Sequence, residues 1–192
     1  HGDIMAMIED GSTRDELFQG IGKRVLQGVG GVLGGSGAST FSIDNVFSDN
    51  YDVYYASFDV GTGSAGTSSE LRLLDSTGTV ISASEYDMAR LGMPSNASFS
   101  ENRFTSADSI EQFNYSYSTG IGGGNAVYFF NPYDSASYTF IVNQGSFWNG
   151  SNGFGTKQIG VHKSAETIRG FHLLRTSGTW TADTTISVYG VN

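Results

Sequence analysis

Hydrophobic and polar positions alternate in short runs over most of the chain. Tyr54, Ala56, Phe58 and Val60 fall on one side of a two-residue period, with Tyr55, Ser57 and Asp59 on the other. Phe171, Leu173 and Arg175 oppose His172 and Leu174 in the same way, and Ile186, Val188 and Gly190 oppose Ser187 and Tyr189. Successive side chains of a strand point to opposite faces, so this period is that of half-buried β-strands. Runs rich in β-branched and aromatic residues, bounded by Gly, Ser, Asn and Asp, predict strands near 40–47, 52–60, 69–75, 78–84, 98–104, 126–131, 137–143, 156–161, 168–175 and 184–191. Asp75-Ser76-Thr77-Gly78 reads as a hairpin turn between 71–74 and 79–83, and a short helical turn is expected over 84–91. About ten strands without β-α alternation imply a mainly β protein, an antiparallel β-sandwich of jelly-roll type.

The first 38 residues follow another pattern. Thr13 and Glu16 have the spacing of a capping box, ahead of an apolar series at Leu17, Phe18, Ile21, Val25, Leu26, Val29, Val32 and Leu33. Spacings of four and seven put these residues on one side of a helix, with Arg14, Gln19, Lys23, Arg24 and Gln27 mainly on another. Gly20, Gly22, Gly28, Gly30 and Gly31 each cost such a helix roughly 1 kcal/mol relative to Ala. The segment is therefore expected to need a partner surface, which makes Leu17, Phe18, Ile21, Val25, Leu26 and Val29 candidate anchoring residues. Gly34-Gly35-Ser36-Gly37 supplies a hinge, and the chain divides into an anchoring segment and linker, 1–38, and a sandwich, 39–192.

Composition sharpens this picture mainly by exclusion. Gly, Ser and Thr fill 69 of 192 positions, a bias towards turns and strands over long helices. Formal net charge is −9, and ten scattered basic residues form no patch able to release counterions from nucleic acid. Residues 41–140 hold twelve acids and three bases, while 141–192 hold two acids and four bases, so the acid excess is local to the middle of the sandwich. With no Cys there is no disulfide, thiol nucleophile or Cys-ligated zinc. No uncharged apolar run approaches the ~20 residues of a spanning helix, because Lys23 and Arg24 interrupt the best one. The chain opens on His1, which leaves proteolytic processing and a partial chain equally open.

Motifs with chemical meaning are sparse. Gly61-Thr62-Gly63-Ser64-Ala65-Gly66 matches a dinucleotide fingerprint after a predicted strand, but a strand follows where that motif needs a helix, so a loop is expected. Ser36, Ser64 and Ser146 stand in no nucleophile elbow. His162 and His172 lie on separate predicted strands; meeting in a sheet, they would offer a metal site with Glu166, although ordinary sheet histidines are the expectation. Asp44, Asp49, Asp52 and Asp59 offer oxygens to calcium at a spacing that fits no EF-hand. Phe147-Trp148-Asn149-Gly150-Ser151-Asn152-Gly153-Phe154 combines rings able to stack on sugars with amides able to bond hydroxyls. Trp148, Asn149, Asn152 and Phe154 are thus the candidate ligand contacts, against a core or subunit-contact role that Trp180 and the Tyr115/Tyr117 pair share. The sequons at Asn96, Asn114 and Asn149 mean little in so Ser-rich a chain. No catalytic residue, cofactor or metal is expected.

Two strings carry a resemblance. STFSIDNVFSDNYDVYYASF at 39–58 and IRGFHLLRTSGTWTADTTISVYGV at 168–191 resemble the opening and close of β-sandwiches in structural proteins of tailed bacteriophages, especially phages of marine bacteria. The resemblance brackets 39–192 and implies a non-enzymatic virion protein of appendage, fibre or decoration type. Its partners would be capsid or tail proteins, further copies of itself, a trimer in a fibre, and a host surface glycan. The residues by themselves leave open a carbohydrate-binding module, a polysaccharide-degrading enzyme, and a membrane-active helix at 20–35.

Overall fold

The computed structural model describes residues 24–25, 38–60, 63–64, 66–116, 122–148, 150–180 and 184–191. Its strands are β1 (Arg24–Val25), β2 (Thr40–Ile43), β3 (Val53–Val60), β4 (Thr67–Leu74), β5 (Tyr86–Pro94), β6 (Ser100–Ala107), β7 (Ile110–Ser116), β8 (Gly123–Phe130), β9 (Thr139–Trp148), β10 (Gly153–His162), β11 (Gly170–Arg175) and β12 (Thr185–Val191). Antiparallel pairing sorts them into an eight-stranded sheet, β1-β12-β3-β8-β9-β10-β5-β6, and a four-stranded sheet, β2-β11-β4-β7. The described chain is a two-sheet antiparallel β-sandwich. Among the described residues no helix is long and apolar enough to cross a membrane.

The period-two residues meet between the sheets. From the large sheet, Tyr54, Ala56, Phe58, Val127, Phe129, Ile141, Ile186 and Val188 turn inward; from the small sheet come Leu71, Leu73, Ile110, Phe113, Phe171 and Leu173. The centre is aromatic. Phe171 stacks on Phe129 at 5.3 Å between ring centroids, while Phe58 lies 5.8 Å and Phe47 6.2 Å from it. Tyr54 reaches back to the loop after β2: its hydroxyl donates to Ser48 O at 3.0 Å and accepts from Ser48 N at 2.8 Å.

The small sheet covers only part of the large one, and a row of amides completes the layer. β7 pairs with β4 on one side alone, with a register shift between Ser69 and Leu71. Side chains of the large sheet satisfy its main-chain carbonyls: Asn143 Nδ2 and Asn125 Nδ2 donate to Phe113 O at 2.7 and 3.1 Å, and Gln158 Nε2 donates to Glu111 O at 2.7 Å. Asn143 Nδ2 also donates to Gln158 Oε1 at 3.0 Å, and Asn143 Oδ1 accepts from Asn125 Nδ2 at 2.8 Å. Two carbonyls of the edge strand, those of Glu111 and Phe113, are thereby taken by side chains of the same chain.

Several sequence expectations need correction. The region 84–91 is not a helical turn, since Tyr86–Pro94 forms β5 and pairs along its length with β10. Met88, Ala89, Arg90 and Leu91 are good helix formers, but the cross-strand bonds available here outweigh local propensity. The Asp75–Gly78 turn does form: Gly78 N donates to Asp75 O at 2.9 Å, and Gly78 takes φ 87°. Its second arm, however, is a single bridge, Leu74 to Val80, rather than a strand over 78–84. β5 and β7 were absent from the expected strands because Arg90, Gln112 and Asn114 break the apolar alternation. Of the expected N-terminal helix, only Arg24–Val25 belongs to the described residues, and it pairs as a strand with Tyr189 and Val188 of β12. The candidate anchors Leu17, Phe18, Ile21, Leu26 and Val29 lie outside the described residues.

Candidate functional site

Two surfaces of the large sheet carry the features most suited to binding. The first is its outward face. Strand pairing sets Tyr189, Tyr55, Tyr128, Val142, Ile159 and Ala89 in one row across six strands, with Val191, Val53, Phe130, Phe140 and Val161 in the row beside it. Tyr55 lies 5.2 Å from Tyr128 and 6.0 Å from Tyr189, and Tyr128 stacks on Phe130 at 6.3 Å. These residues point away from the core, and Ile159 is 61% exposed, Phe140 47% and Tyr128 41%. Towards β5 and β6 the face forms a hollow of about 660 Å³ lined by Ala89, Leu91, Val142 and Ile159, with Glu101, Arg103, Gln144 and Lys157. An apolar centre with charges at its margin is the composition of a protein interface.

The second surface is an open groove of about 860 Å³ at the end of the sandwich where β8 begins and β9 ends. Its lining includes Phe147, Trp148 and Phe154, with Asp59, Ser95 and the glycines 122–124. The structure thus brings together two of the four predicted ligand contacts. Trp148 is 43% exposed and free to stack on a ligand. Phe154 is half-buried in a column of rings, 5.0 Å from Phe147, which in turn stacks on Tyr115 at 4.9 Å. The Arg90 guanidinium caps that column, 5.3 Å from the Tyr115 ring and 5.8 Å from Phe154, and bonds Gln112 Oε1. Phe154 therefore supports the groove from below. Asn152 is half-buried and does not line the groove, while Asn149 and Tyr117 lie outside the described residues.

Other candidates resolve into structural roles. Trp180 is buried against Phe41 at 4.8 Å, with the Arg175 guanidinium 5.6 Å from its ring. Gly63, of the Gly-rich motif, bridges Trp180, and a Cβ there would meet that guanidinium at 2.5 Å, so its position belongs to packing. Asp44 is held by Arg169, whose Nε and Nη2 donate to its carboxylate at 2.6 and 3.0 Å. Among the described residues, Asp44, Asp49, Asp52 and Asp59 form no common ligand group. Asn114 is buried, which removes it as a glycosylation site in the folded protein. His172 bonds Ser42 Oγ at 2.8 Å from the small sheet, far from partnership with His162; burial, and then Arg72, hold its imidazole below the usual range. No family model matches the chain, and no curated protein matches it.

Sequence reasoning did not identify the outward face, although its signal was present. In the second half of β8 and the first half of β9 both phases of the alternation are apolar, as in Val127-Tyr128-Phe129-Phe130 and Phe140-Ile141-Val142, which marks strands wanted on both sides.

Proposed function

We propose that the chain is a non-enzymatic virion structural protein of a tailed phage. Its sandwich, of jelly-roll type, is displayed as a decoration, fibre or host-contact module, while the segment 12–33 anchors it to capsid or tail. The observation that carries this reading is the outward apolar face of the large sheet. Soluble monomers seldom expose a contiguous apolar patch beyond a few hundred Å². Six strands spaced ~4.8 Å apart and two to three rows of side chains give a projected footprint on the order of 500 Å², the core of a standard interface of about 800 Å² per partner. The neighbour that covers it is another copy of the chain, repeated by the symmetry of the particle; three copies suit a fibre. The resemblance of 39–58 and 168–191 supplies the virion setting.

Light scattering of chains 1–192 and 39–192, together with the variant Tyr128→Ser/Ile159→Lys, tests this. The full chain is expected to assemble and to bind particles lacking it, and the variant to remain monomeric with an unchanged circular-dichroism spectrum. A wild-type monomer that does not bind such particles overturns the reading.

A carbohydrate-binding module is the second reading, favoured by the exposed Trp148 at the rim of an open groove. It predicts glycan binding by the wild-type monomer that Trp148→Ala reduces at least tenfold, each tenfold being about 1.4 kcal/mol.

A further inference from the structure

At the opposite end of the large sheet from the Trp148 groove, two side chains that end and follow β10 converge with one just before β5. His162 closes β10 with its ring fully buried, 5.0 Å from the ring of Tyr86, its partner on β5. Its Nε2 lies 3.2 Å from Glu85 Oε2 and 3.7 Å from Glu166 Oε1, and the three ligand atoms all lie within 4.8 Å of one another. We propose that Glu85, His162 and Glu166 form a binding site for a divalent transition-metal ion of the zinc class.

Distance comes first. Tetrahedral coordination with bonds of 2.0–2.2 Å sets neighbouring ligand atoms about 3.4 Å apart. The two separations from His162 bracket that value, and rotation of one half-exposed glutamate closes the third edge. Donor chemistry comes next: one imidazole nitrogen with two carboxylate oxygens suits zinc and its neighbours, whereas calcium takes six to eight oxygens. Two carboxylates are crowded at one point, and among the described residues no Lys or Arg bridges either of them. Lys163 is engaged by Asp87 at 2.7 Å, and Arg72 by Asp108 at 2.5 Å. A dication offsets the repulsion that this arrangement otherwise carries.

The frame exists without the ion. Lys163 N donates to Glu85 O at 2.8 Å, and the Tyr86 hydroxyl is fixed by Leu73 N and Ile81 O. The buried imidazole is thus a fixed ligand, while the half-exposed glutamates leave the fourth position open to water. Nε2 is the ring edge that faces the two carboxylates, hydrogen-bonded to Glu85 Oε2, a contact the ion would replace, and Nδ1 is buried without a hydrogen-bond partner. The outer bond that usually orients a ligating histidine is missing, which sets affinity about 10–100-fold below that of a site possessing it. Binding would tie the connection after β10, through Glu166, to the start of β5.

The test uses the full chain, freed of metal by chelation and then titrated with Zn²⁺ by calorimetry and with Co²⁺ by visible absorption. One ion per chain is expected, with a tetrahedral Co²⁺ spectrum and a Tm that rises with Zn²⁺ concentration. Glu166→Gln and Glu85→Gln, both half-exposed positions, should each weaken binding at least tenfold while retaining the apo Tm. Absence of Zn²⁺ binding, or binding unchanged in the Glu85→Gln/Glu166→Gln variant, overturns the proposal. Neither result bears on the assembly reading, whose face lies elsewhere on the sheet.

Discussion

Phe171→Ala should lower the unfolding free energy by about 3–5 kcal/mol, the usual cost of emptying a large aromatic site. Phe171 has no exposed surface and is the member of β11 that faces Phe58 and Phe129 across the sandwich, with Phe47 closing a third side. Phe58 and Phe129 are anchored on the neighbouring strands β3 and β8 and Phe47 on the loop after β2, so the three rings cannot collapse together into the space left behind and the cavity term is added to the transfer term. For a chain of this length the Tm falls by about 6–20 °C, at 2–4 °C per kcal/mol. Domains of this kind are stable by only about 5–15 kcal/mol, so at the low end the variant is partly unfolded at 37 °C. Guanidinium denaturation of the wild type and of Phe171→Ala measures the difference directly. A loss under about 1 kcal/mol would mean that the aromatic cluster is not the stabilising core.

Asn143→Leu is expected to cost about 2–4 kcal/mol although it adds apolar volume to a buried position. Its side chain is 1% exposed and joins Phe113 O, Asn125 and Gln158. The substitution orphans Gln158 Oε1 and deprives Asn125 of an acceptor, each buried group costing about 1–3 kcal/mol when left unpaired. Asn143→Leu/Gln158→Leu separates this mechanism from simple misfit. The bond between the two amides is lost in either single variant and counted only once in the double, so the double should lose less than the sum of the singles by about 0.5–3 kcal/mol. Strictly additive losses, read from chemical denaturation of all four chains, would show that the amide row does not act as a unit.

That row explains why part of the fold was hidden in the sequence. β3, β11 and β12 alternate cleanly because each has an apolar partner opposite its inward side chains, and their positions follow from period alone. β5 and β7 do not alternate in this way. Arg90 on β5 is 6% exposed, bonded to Gln112 and spread against Tyr115, and Gln112 itself takes φ 52° within β7. A buried arginine or asparagine reads as a surface or turn residue until its acceptor is located, and here each acceptor comes from a strand distant in sequence.

The candidate sites divide on the same line. Trp148 was legible because an aromatic residue beside Asn and Gly marks the edge of a turn, and it stands at the end of β9. Phe154 carried the same signal and serves as the groove's support, a difference made by Phe147 and Tyr115 beneath it. The sequence offers Glu166 to a metal only with His162 and His172 together, whereas Glu85 enters only through the pairing of Tyr86 with His162. His172, the other histidine expected there, lies on β11 in the other sheet, against Ser42.

By itself the sequence determined that this is a β protein with strands of period two, a turn at Asp75–Gly78 and no Cys. These are local properties, set by side-chain alternation, backbone conformational preference and composition. The tertiary structure alone decided which strands share a sheet, which outward side chains of the large sheet join into one apolar patch, and which polar residues are buried. Each of those outcomes depends on contacts between residues distant in the chain, and in a sheet a polar residue becomes core, ligand or surface according to what strand pairing places opposite it.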